Sequence, residues 1–202
     1  MSFAESGAGT RSPLSGIGHL EILQQPLGPL ACEVAELLIQ FRLKIVFAES
    51  CTAGLISATL ARTPGASNFH CGSAVVYRLD TKTHWLSVPA SMLIDPGAVS
   101  EPVAASMAEG ALAHTPEADL AVSITGHLGP NAPESQDGLV FVAIALRGRF
   151  CRVVEHRLRK VDVVNDRLRF PGETEREQRQ WAAVELVLTQ IAATLRAGDC
   201  NR

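Results

Sequence analysis

The stretch from residue 45 to residue 54 reads IVFAESCTAG. Its first four residues form an apolar, partly β-branched run that is too short for a helix and predicts a buried strand. Small polar residues then turn the chain, and the apolar spacing from Leu55 onward predicts a helix. In open α/β sheets, ligands collect at the carboxyl ends of strands, where a following helix offers free N–H groups to an anion. This stretch therefore predicts an α/β fold and the position of its site.

Strands and helices alternate on both sides of this stretch. An amphipathic helix is predicted from Leu30, a second strand over residues 73–77, and then a short helix that Asp80 can cap. A helix that starts at Ser100 and a third buried strand over residues 120–124 follow. Because these early strands alternate with helices, we expect them to pair in parallel.

The second half of the sequence adds an antiparallel element. Residues 139–146 and 150–158 flank a glycine-containing turn, which predicts a hairpin, and an apolar stripe between Trp181 and Leu195 predicts the last helix. The sequence thus predicts an α/β fold of three layers, α/β/α, whose mixed, mostly parallel central sheet ends in a late antiparallel hairpin.

Length and composition narrow the possible classes of function. The 202 residues suit a single domain, which we expect over residues 28–197, after a disordered tail over residues 1–20 that is rich in Ser, Gly and Ala. A net charge of -3 without a long basic stripe argues against a nucleic-acid partner. Five cysteines without a CxxC pair fit no zinc pattern and favour a reducing cytoplasm, and no apolar run reaches the length of a membrane span. We therefore expect a cytoplasmic protein with no metal site and no membrane partner.

Polar loops that carry glycines or titratable side chains follow the three predicted strands. They comprise residues 49–54, the pair Tyr77 and Lys82, and residues 125–130, which read TGHLGP. Because a parallel sheet brings these strand ends to one edge, the loops together predict a site. Each also has a simpler interpretation: the first as a helix N-cap, the second as a solvated surface lysine, the third as an ordinary surface loop.

Lys82 is the candidate general base of this site. If Asp80 caps the helix, Lys82 lies in its first turn, where the helix dipole favours the neutral amine over the ammonium and so lowers the pKa of the lysine. A neutral amine is the form that general-base catalysis requires.

The motifs together resemble one protein family. The segment AESCTAG, residues 48–54, resembles the A-E-S-C-T-G-G signature of the CinA C-terminal domain family, the nicotinamide-nucleotide amidases. Further matching motifs are P-G-A-S at residues 64–67, Tyr77 with Lys82 five residues on, T-G at residues 125–126 and F-P-G at residues 170–172. The resemblance extends from residue 28 to residue 195.

The resemblance implies an activity and roles for particular residues. Members of the family hydrolyse the carboxamide of nicotinamide mononucleotide to nicotinic acid mononucleotide and ammonia, without a metal or other cofactor. Carried over to this sequence, Ser50 is the nucleophile, Lys82 is its base, and Tyr77 and Thr125 assist proton transfer and positioning. The implied partner is a small pyridine nucleotide, and the implied assembly is a homo-oligomer, with a dimer as the expected form.

The expected substrate-binding residues lie on the same loops and at the start of the last helix. They are Glu49, Cys51, Thr52, Ala53, Gly54, Gly126, His127, Arg176 and Arg179. Backbone N–H groups over residues 51–54 are candidates for holding the oxyanion or the ribose phosphate. Cys51 is also a rival nucleophile to Ser50, because a thiol is intrinsically the stronger of the two.

Three departures from the family pattern concern substrate binding. The paired glycines of the signature are Ala53 and Gly54 here, and the family's T-G-I-A-G-P with its glycine run is TGHLGPNAP over residues 125–133. The expected G-D-R of the last motif reads G-E-T, so its arginine is either missing or shifted to Arg176 or Arg179. The catalytic set is retained, so we expect an amidase of pyridine nucleotides. The alternatives are a catalytically silent nucleotide-binding homologue and an amidase for another small amide.

Overall fold

The computed structural model describes residues 24–149, 151–160 and 169–197; the tail predicted over residues 1–20 lies outside them. The strands are β1 (Ile45–Glu49), β2 (His70–Val75), β3 (Leu120–Gly126), β4 (Leu139–Leu146) and β5 (Cys151–Arg157). The helices are α1 (Gly28–Phe41), α2 (Leu55–Ala61), α3 (Leu79–Leu86), the short α4 (Ala90–Met92), α5 (Glu101–His114) and α6 (Glu175–Arg196).

One five-stranded sheet, in the order β2-β1-β3-β4-β5, forms the middle layer. β1 pairs in parallel with both β2 and β3, whereas β3, β4 and β5 pair antiparallel. The mixed sheet with a parallel core and an antiparallel end confirms the fold class predicted from the sequence. The carboxyl ends of β1, β2 and β3 therefore lie at one edge.

Helices cover both faces of the sheet, which explains why β1 is apolar without alternation. Side chains alternate between faces along a strand, so Phe47 packs with α1, α2 and α6, while Val46 and Ala48 pack with α3 and α5. All five residues of β1 are buried. None of the helices in the described ranges is long and apolar enough to cross a membrane.

The second strand ends earlier than the sequence analysis predicted, at Val75 instead of residue 77. The N–H of Val76 still donates to the carbonyl of Glu49, but Tyr77 has left the sheet and is 55% exposed. β2 is an edge strand whose residues are half-buried, and its pairing with β1 is irregular at its first residues. It therefore lacks the continuous apolar run that identified β1.

The helix that carries Lys82 begins without the expected cap. Its N-cap residue is Arg78 and Asp80 lies inside the first turn, so Asp80 does not cap it. Lys82 and Leu86 form its buried face. The last helix, in contrast, begins with a capping box, in which Thr174 and Glu177 each bind the other's backbone N–H. This cap fixes the start of α6 at Glu175, next to the site.

Candidate active site

A cleft of about 260 Å³ lies where the loops after β1, β2 and β3 meet the start of α6. Its walls include these expected site residues: Ser50, Cys51, Tyr77, Lys82, Thr125, Gly126, His127 and Arg176. Its other lining residues are Leu79, Ala98, Val99, Leu128, Gly129, Pro130, Asn131 and Ala132. The five expected residues outside the lining are Glu49, Thr52, Ala53, Gly54 and Arg179.

Glu49 is fully buried beneath the cleft, where it organises the turn that carries Ser50. Its carboxylate accepts hydrogen bonds of 2.8 to 3.1 Å from the hydroxyls of Thr52 and Ser73 and from the N–H groups of Gly54, Ile56 and Ser57. These bonds occupy the carboxylate and satisfy the first N–H groups of α2. Glu49 therefore acts on the site as a structural residue, and the Thr52 hydroxyl is committed to it.

The turn itself has left-handed backbone at Ala53 (φ 53°) and Gly54 (φ 96°). Paired glycines would adopt this conformation without strain, which gives a physical reason for the G-G of the family signature. The N–H of Ala53 donates to the carbonyl of Ser50, and that of Gly54 to Glu49. Within the described part of the chain, the N–H groups of Cys51 and Thr52 donate no hydrogen bond to another residue. The methyl of Ala53 is exposed outside the cleft and does not narrow it.

Ser50 and Lys82 form the centre of the cleft. The Nζ of Lys82 donates to the Oγ of Ser50 at 2.8 Å and to the carbonyl of Val76 at 2.5 Å. The N–H of Ser50 donates to the carbonyl of Ile124, which fixes the serine against the end of β3. Through these contacts, Ser50 and Lys82 connect the ends of all three parallel strands.

Burial gives Lys82 the electrostatics of a base. The residue is 1% exposed, and no carboxylate in the described ranges bonds to its Nζ. Burial therefore lowers its pKa from the usual lysine value to about 8. At pH 7 roughly a tenth of the lysine is thus neutral, and the neutral amine lies at hydrogen-bonding distance from a hydroxyl.

The environment of Cys51 disfavours the thiolate that a nucleophilic cysteine needs. It is 4% exposed and packs in the core between the sheet and α6, and burial raises its pKa to about 12. The thiolate is the reactive form, so this environment suppresses its reactivity. Its carbonyl accepts a bond of 3.2 Å from the side chain of Gln180, which holds the turn against α6. The geometry therefore favours Ser50 over Cys51 as the nucleophile.

The end of β3 supplies the opposite wall. The hydroxyl of Thr125, which lines the cleft, donates to the carbonyl of Ala98 at 2.8 Å, so its oxygen can serve a ligand as an acceptor only. Gly126 is required for packing, because an added Cβ would lie 2.5 Å from a methyl of Val140. Any larger residue would push the strand end, and Thr125 with it, out of place.

The structure distinguishes the two candidate arginines of the last helix. Arg176 lines the cleft and donates to the carbonyl of Gly129 at 2.7 Å and to the hydroxyl of Tyr77 at 2.8 Å. Arg179 is 1% exposed and binds both carboxylate oxygens of Asp137, at 2.7 and 2.8 Å. Arg176 is therefore the arginine available to a ligand, and Arg179 ties the loop after β3 to α6.

The charge of the cleft is one-sided. Its described lining includes Lys82 and Arg176 but neither Asp nor Glu, so the field within it attracts anions. In the described ranges, no three His, Cys, Asp or Glu residues are grouped closely enough to hold a metal ion.

Sequence reasoning missed the roles of Gln180 and of Ala98, whose contacts with Cys51 and Thr125 position the site. Gln180 lies one helical turn after Arg176, and the capping box before it was the signal that could have located both on the face towards the cleft. Ala98 carries no comparable signal, because its contact with Thr125 is made by a backbone carbonyl.

A model of the CinA C-terminal domain matches residues 28–192 of the chain. The chain belongs to the CinA C-terminal domain family. A CinA-like protein from Gloeobacter violaceus is 42% identical over 131 residues, which cover 64% of this chain and 30% of that relative. A CinA-like protein from Dictyoglomus thermophilum is 44% identical over 117 residues, 57% of this chain and 28% of the relative. This CinA-family chain thus spans less than a third of the length of these curated relatives.

Solved structures of the CinA superfamily match almost over their full length. The competence damage-inducible protein A of Klebsiella pneumoniae is 28% identical with a TM-score of 0.71, and the match covers 83% of this chain and 96% of that one. The competence/damage inducible protein CihA of Agrobacterium tumefaciens is 30% identical with a TM-score of 0.69, over 81% of this chain and 94% of that one. The resemblance to the CinA family that the sequence motifs indicated is therefore confirmed.

Proposed function

We propose that this CinA-family chain is an amidohydrolase that converts nicotinamide mononucleotide to nicotinic acid mononucleotide and ammonia through a Ser–Lys mechanism. The observation that carries the proposal is the buried Nζ of Lys82, 2.8 Å from the Oγ of Ser50 and without a carboxylate bonded to it among the described residues. A serine paired with a neutral lysine is an established variant of the hydrolytic triad, and it needs no cofactor.

The first step forms the acyl-enzyme. Neutral Lys82 takes the hydroxyl proton of Ser50 while Oγ attacks the carboxamide carbon, and the carbonyl electron pair moves onto its oxygen. The N–H groups of Cys51 and Thr52, which donate to no other described residue, are the candidate donors for this oxyanion. When the tetrahedral intermediate collapses, the C–N bond breaks, and the Lys82 ammonium gives its proton to the leaving nitrogen, which departs as ammonia.

Water then completes the cycle. Lys82, neutral again, takes a proton from a water molecule that attacks the ester carbon, and returns that proton to Oγ of Ser50 as the C–Oγ bond breaks. The product is the carboxylic acid, which ionises at neutral pH. The carbonyl of Val76 accepts from Nζ and holds the lysine in place. The oxygen of Thr125, whose proton is donated to Ala98, is our candidate acceptor for an N–H of the carboxamide, a positioning role.

The charge of the cleft favours a phosphorylated substrate. Arg176 contributes a guanidinium to the lining, and no acidic side chain in the described lining opposes it. Tyr77 accepts a bond from Arg176, which fixes the guanidinium and leaves the phenolic proton of Tyr77 for a ligand.

A homodimer in the cytoplasm completes the proposal. The large apolar side chains that stay exposed in the described ranges all fall within one segment: Val75, Tyr77, Leu79, Trp85 and Ile94. Tyr77 and Leu79 also line the cleft, whereas Trp85 and Ile94 lie outside its lining, so these two are the candidate interface residues.

The deciding experiment incubates the purified protein with nicotinamide mononucleotide and measures ammonia and nicotinic acid mononucleotide. Stoichiometric release of both, lost in Ser50→Ala, is the expected result. Nicotinamide riboside, nicotinamide and glutamine serve as comparison amides. Ammonia from one of these alone would assign the chain to another small amide, and no ammonia from any of them would favour a silent nucleotide-binding homologue.

A further inference from the structure

Two polar side chains of the cleft, His127 and Asn131, are not used by the proposed mechanism. Both line the cleft from the loop that follows β3. Neither side chain has a hydrogen-bond partner among the described residues, although the main-chain N–H of His127 donates to the carbonyl of Leu139. The described lining of the cleft has five other side chains with O–H or N–H donors, and each of them forms a hydrogen bond within the protein: Ser50, Tyr77, Lys82, Thr125 and Arg176.

The loop that carries these two side chains is held on several sides. Gly126 packs under Val140 at its start, Arg176 binds the carbonyl of Gly129 in its middle, and Arg179 binds Asp137 near its end. A loop fixed in this way loses little conformational entropy when a ligand arrives. Side-chain donors presented by such a loop can therefore contribute most of their interaction energy to binding.

The donors also match one kind of ligand group. An imidazole N–H and a carboxamide NH2 lie in the same cleft as the Arg176 guanidinium, which uses two of its five N–H groups on Gly129 and Tyr77. A phosphate monoester carries oxygens that need several donors and a positive neighbour. Asp and Glu, which would repel it, are missing from the described part of the lining.

We propose that His127 and Asn131, beside Arg176, bind the phosphate of the substrate, so that their side chains give this chain its preference for a nucleotide over the corresponding nucleoside. This inference rests on the proposed function for the nature of the substrate. The two can nevertheless fail separately, because phosphate binding is measurable without any amide chemistry.

The test uses ribose 5-phosphate as the probe and calorimetry as the measurement. His127→Phe keeps a ring of similar size without N–H groups. Asn131→Gly removes only the side chain, since φ is 68° at Asn131 and glycine adopts this conformation without strain. Each variant is expected to weaken ribose 5-phosphate binding about tenfold, the effect of one lost hydrogen bond to a charged group. Asn131→Asp, which places a carboxylate there, should weaken it further.

Three controls make the result specific. His156→Phe changes an exposed histidine of β5 outside the cleft and should leave binding unchanged. Thermal unfolding verifies that each variant is folded. If His127→Phe does not fold, the binding measurement on Asn131→Gly decides. Nicotinamide riboside, measured in the Ser50→Ala background, should bind the variants as it binds their parent, because it has no phosphate.

The outcomes separate the two proposals. No binding of ribose 5-phosphate by the wild-type chain, affinities within twofold of wild type in the variants, or equal weakening for nicotinamide riboside would overturn the phosphate site. Weakened ribose 5-phosphate binding in the variants, together with no ammonia from nicotinamide mononucleotide in the wild type, would leave the phosphate site standing and reject the proposed reaction.

Discussion

The Nζ of Lys82 and the Oγ of Ser50 lie 2.8 Å apart although they come from different elements, the serine from the turn after β1 and the lysine from α3. The contact depends on α3 packing its Lys82 face inward, where burial disfavours the ammonium. Burying a lysine amine without a carboxylate partner lowers the free energy of unfolding. The arrangement therefore indicates a functional role for Lys82.

Replacement of the nucleophile should separate Ser50 from its neighbour. Ser50→Ala is expected to lower the rate of ammonia release from nicotinamide mononucleotide by about four orders of magnitude, as removal of a catalytic nucleophile does. Cys51→Ala should keep the rate within about threefold, because its thiol is buried and its pKa is raised to about 12. Steady-state kinetics of both purified variants decides, and the reverse pattern would make Cys51 the nucleophile.

Replacement of Lys82 distinguishes a base from a phosphate anchor. Lys82→Arg keeps the positive charge but has no neutral form near pH 7, so kcat should fall about a thousandfold or more while nucleotide binding is retained. Lys82→Met should lose kcat to a similar extent. If Lys82 served only to bind phosphate, Lys82→Arg would keep substantial kcat and Lys82→Met would mainly raise KM.

The pH dependence of the reaction follows from the same lysine. The reactive form is the neutral amine, so kcat/KM for nicotinamide mononucleotide should rise with pH and level off above the pKa of Lys82, which burial lowers to about 8. Cys51, the neighbouring thiol, has its pKa raised to about 12 and stays neutral throughout. A rate profile from pH 6 to pH 10 measures this. A profile that is flat, or that still rises steeply at pH 10, would contradict the assignment.

The ion pair between the buried Arg179 and the partly exposed Asp137 should stabilise the fold and the cleft loop. Asp137→Asn leaves the guanidinium buried with Glu175, at 3.1 Å, as its remaining carboxylate, and is expected to lower the free energy of unfolding by about 2 kcal/mol. Asp137→Asn/Arg179→Met should be less destabilising than the sum of the single changes. Urea unfolding of the four proteins gives the coupling energy, and simple additivity would show that the pair contributes nothing.

The exposed apolar segment predicts the assembly state. Light scattering at micromolar concentration is expected to give twice the mass of the chain. Trp85→Glu and Ile94→Glu place charges on exposed positions of this segment and should shift the protein to a monomer without lowering its thermal stability. A monomeric wild type would reject the dimer, and dimeric variants would place the interface elsewhere.

Local patterns in the sequence were sufficient to predict the layers of the fold. The apolar run of β1 and the stripe of α6 predicted elements correctly because each is covered by neighbours over its whole length. The end of β2 and the start of α3 were predicted wrongly, because an edge strand has no continuous apolar run and the N-cap of α3 is Arg78, a residue that carries no capping signal.

Single residues of the site were harder to assign than the loops that carry them. Arg176 and Arg179 are indistinguishable by spacing, since only the position of Asp137, a residue 42 positions away, separates the ligand-facing arginine from the structural one. Glu49 was expected to bind substrate as a member of the loop over residues 49–54. In the structure, its carboxylate accepts hydrogen bonds from five donors in the turn, α2 and β2. Hydrogen bonds between separate elements produce no periodic pattern in the sequence, so this structural role could not be predicted.

The bonding of Glu49 also has a consequence for how reactivity arises during biosynthesis. Its carboxylate is fully satisfied only when the turn, α2 and β2 have assembled around β1, so the geometry of the turn that carries Ser50 is a product of tertiary assembly. A partly folded chain therefore carries a serine and a lysine that are both ordinary, and it cannot attack amides indiscriminately. Conversely, Ser50 and Lys82 donate no hydrogen bond to Glu49, so replacing either of them would leave the bonds around this carboxylate intact, and a variant without the Ser–Lys pair would keep the fold of the turn.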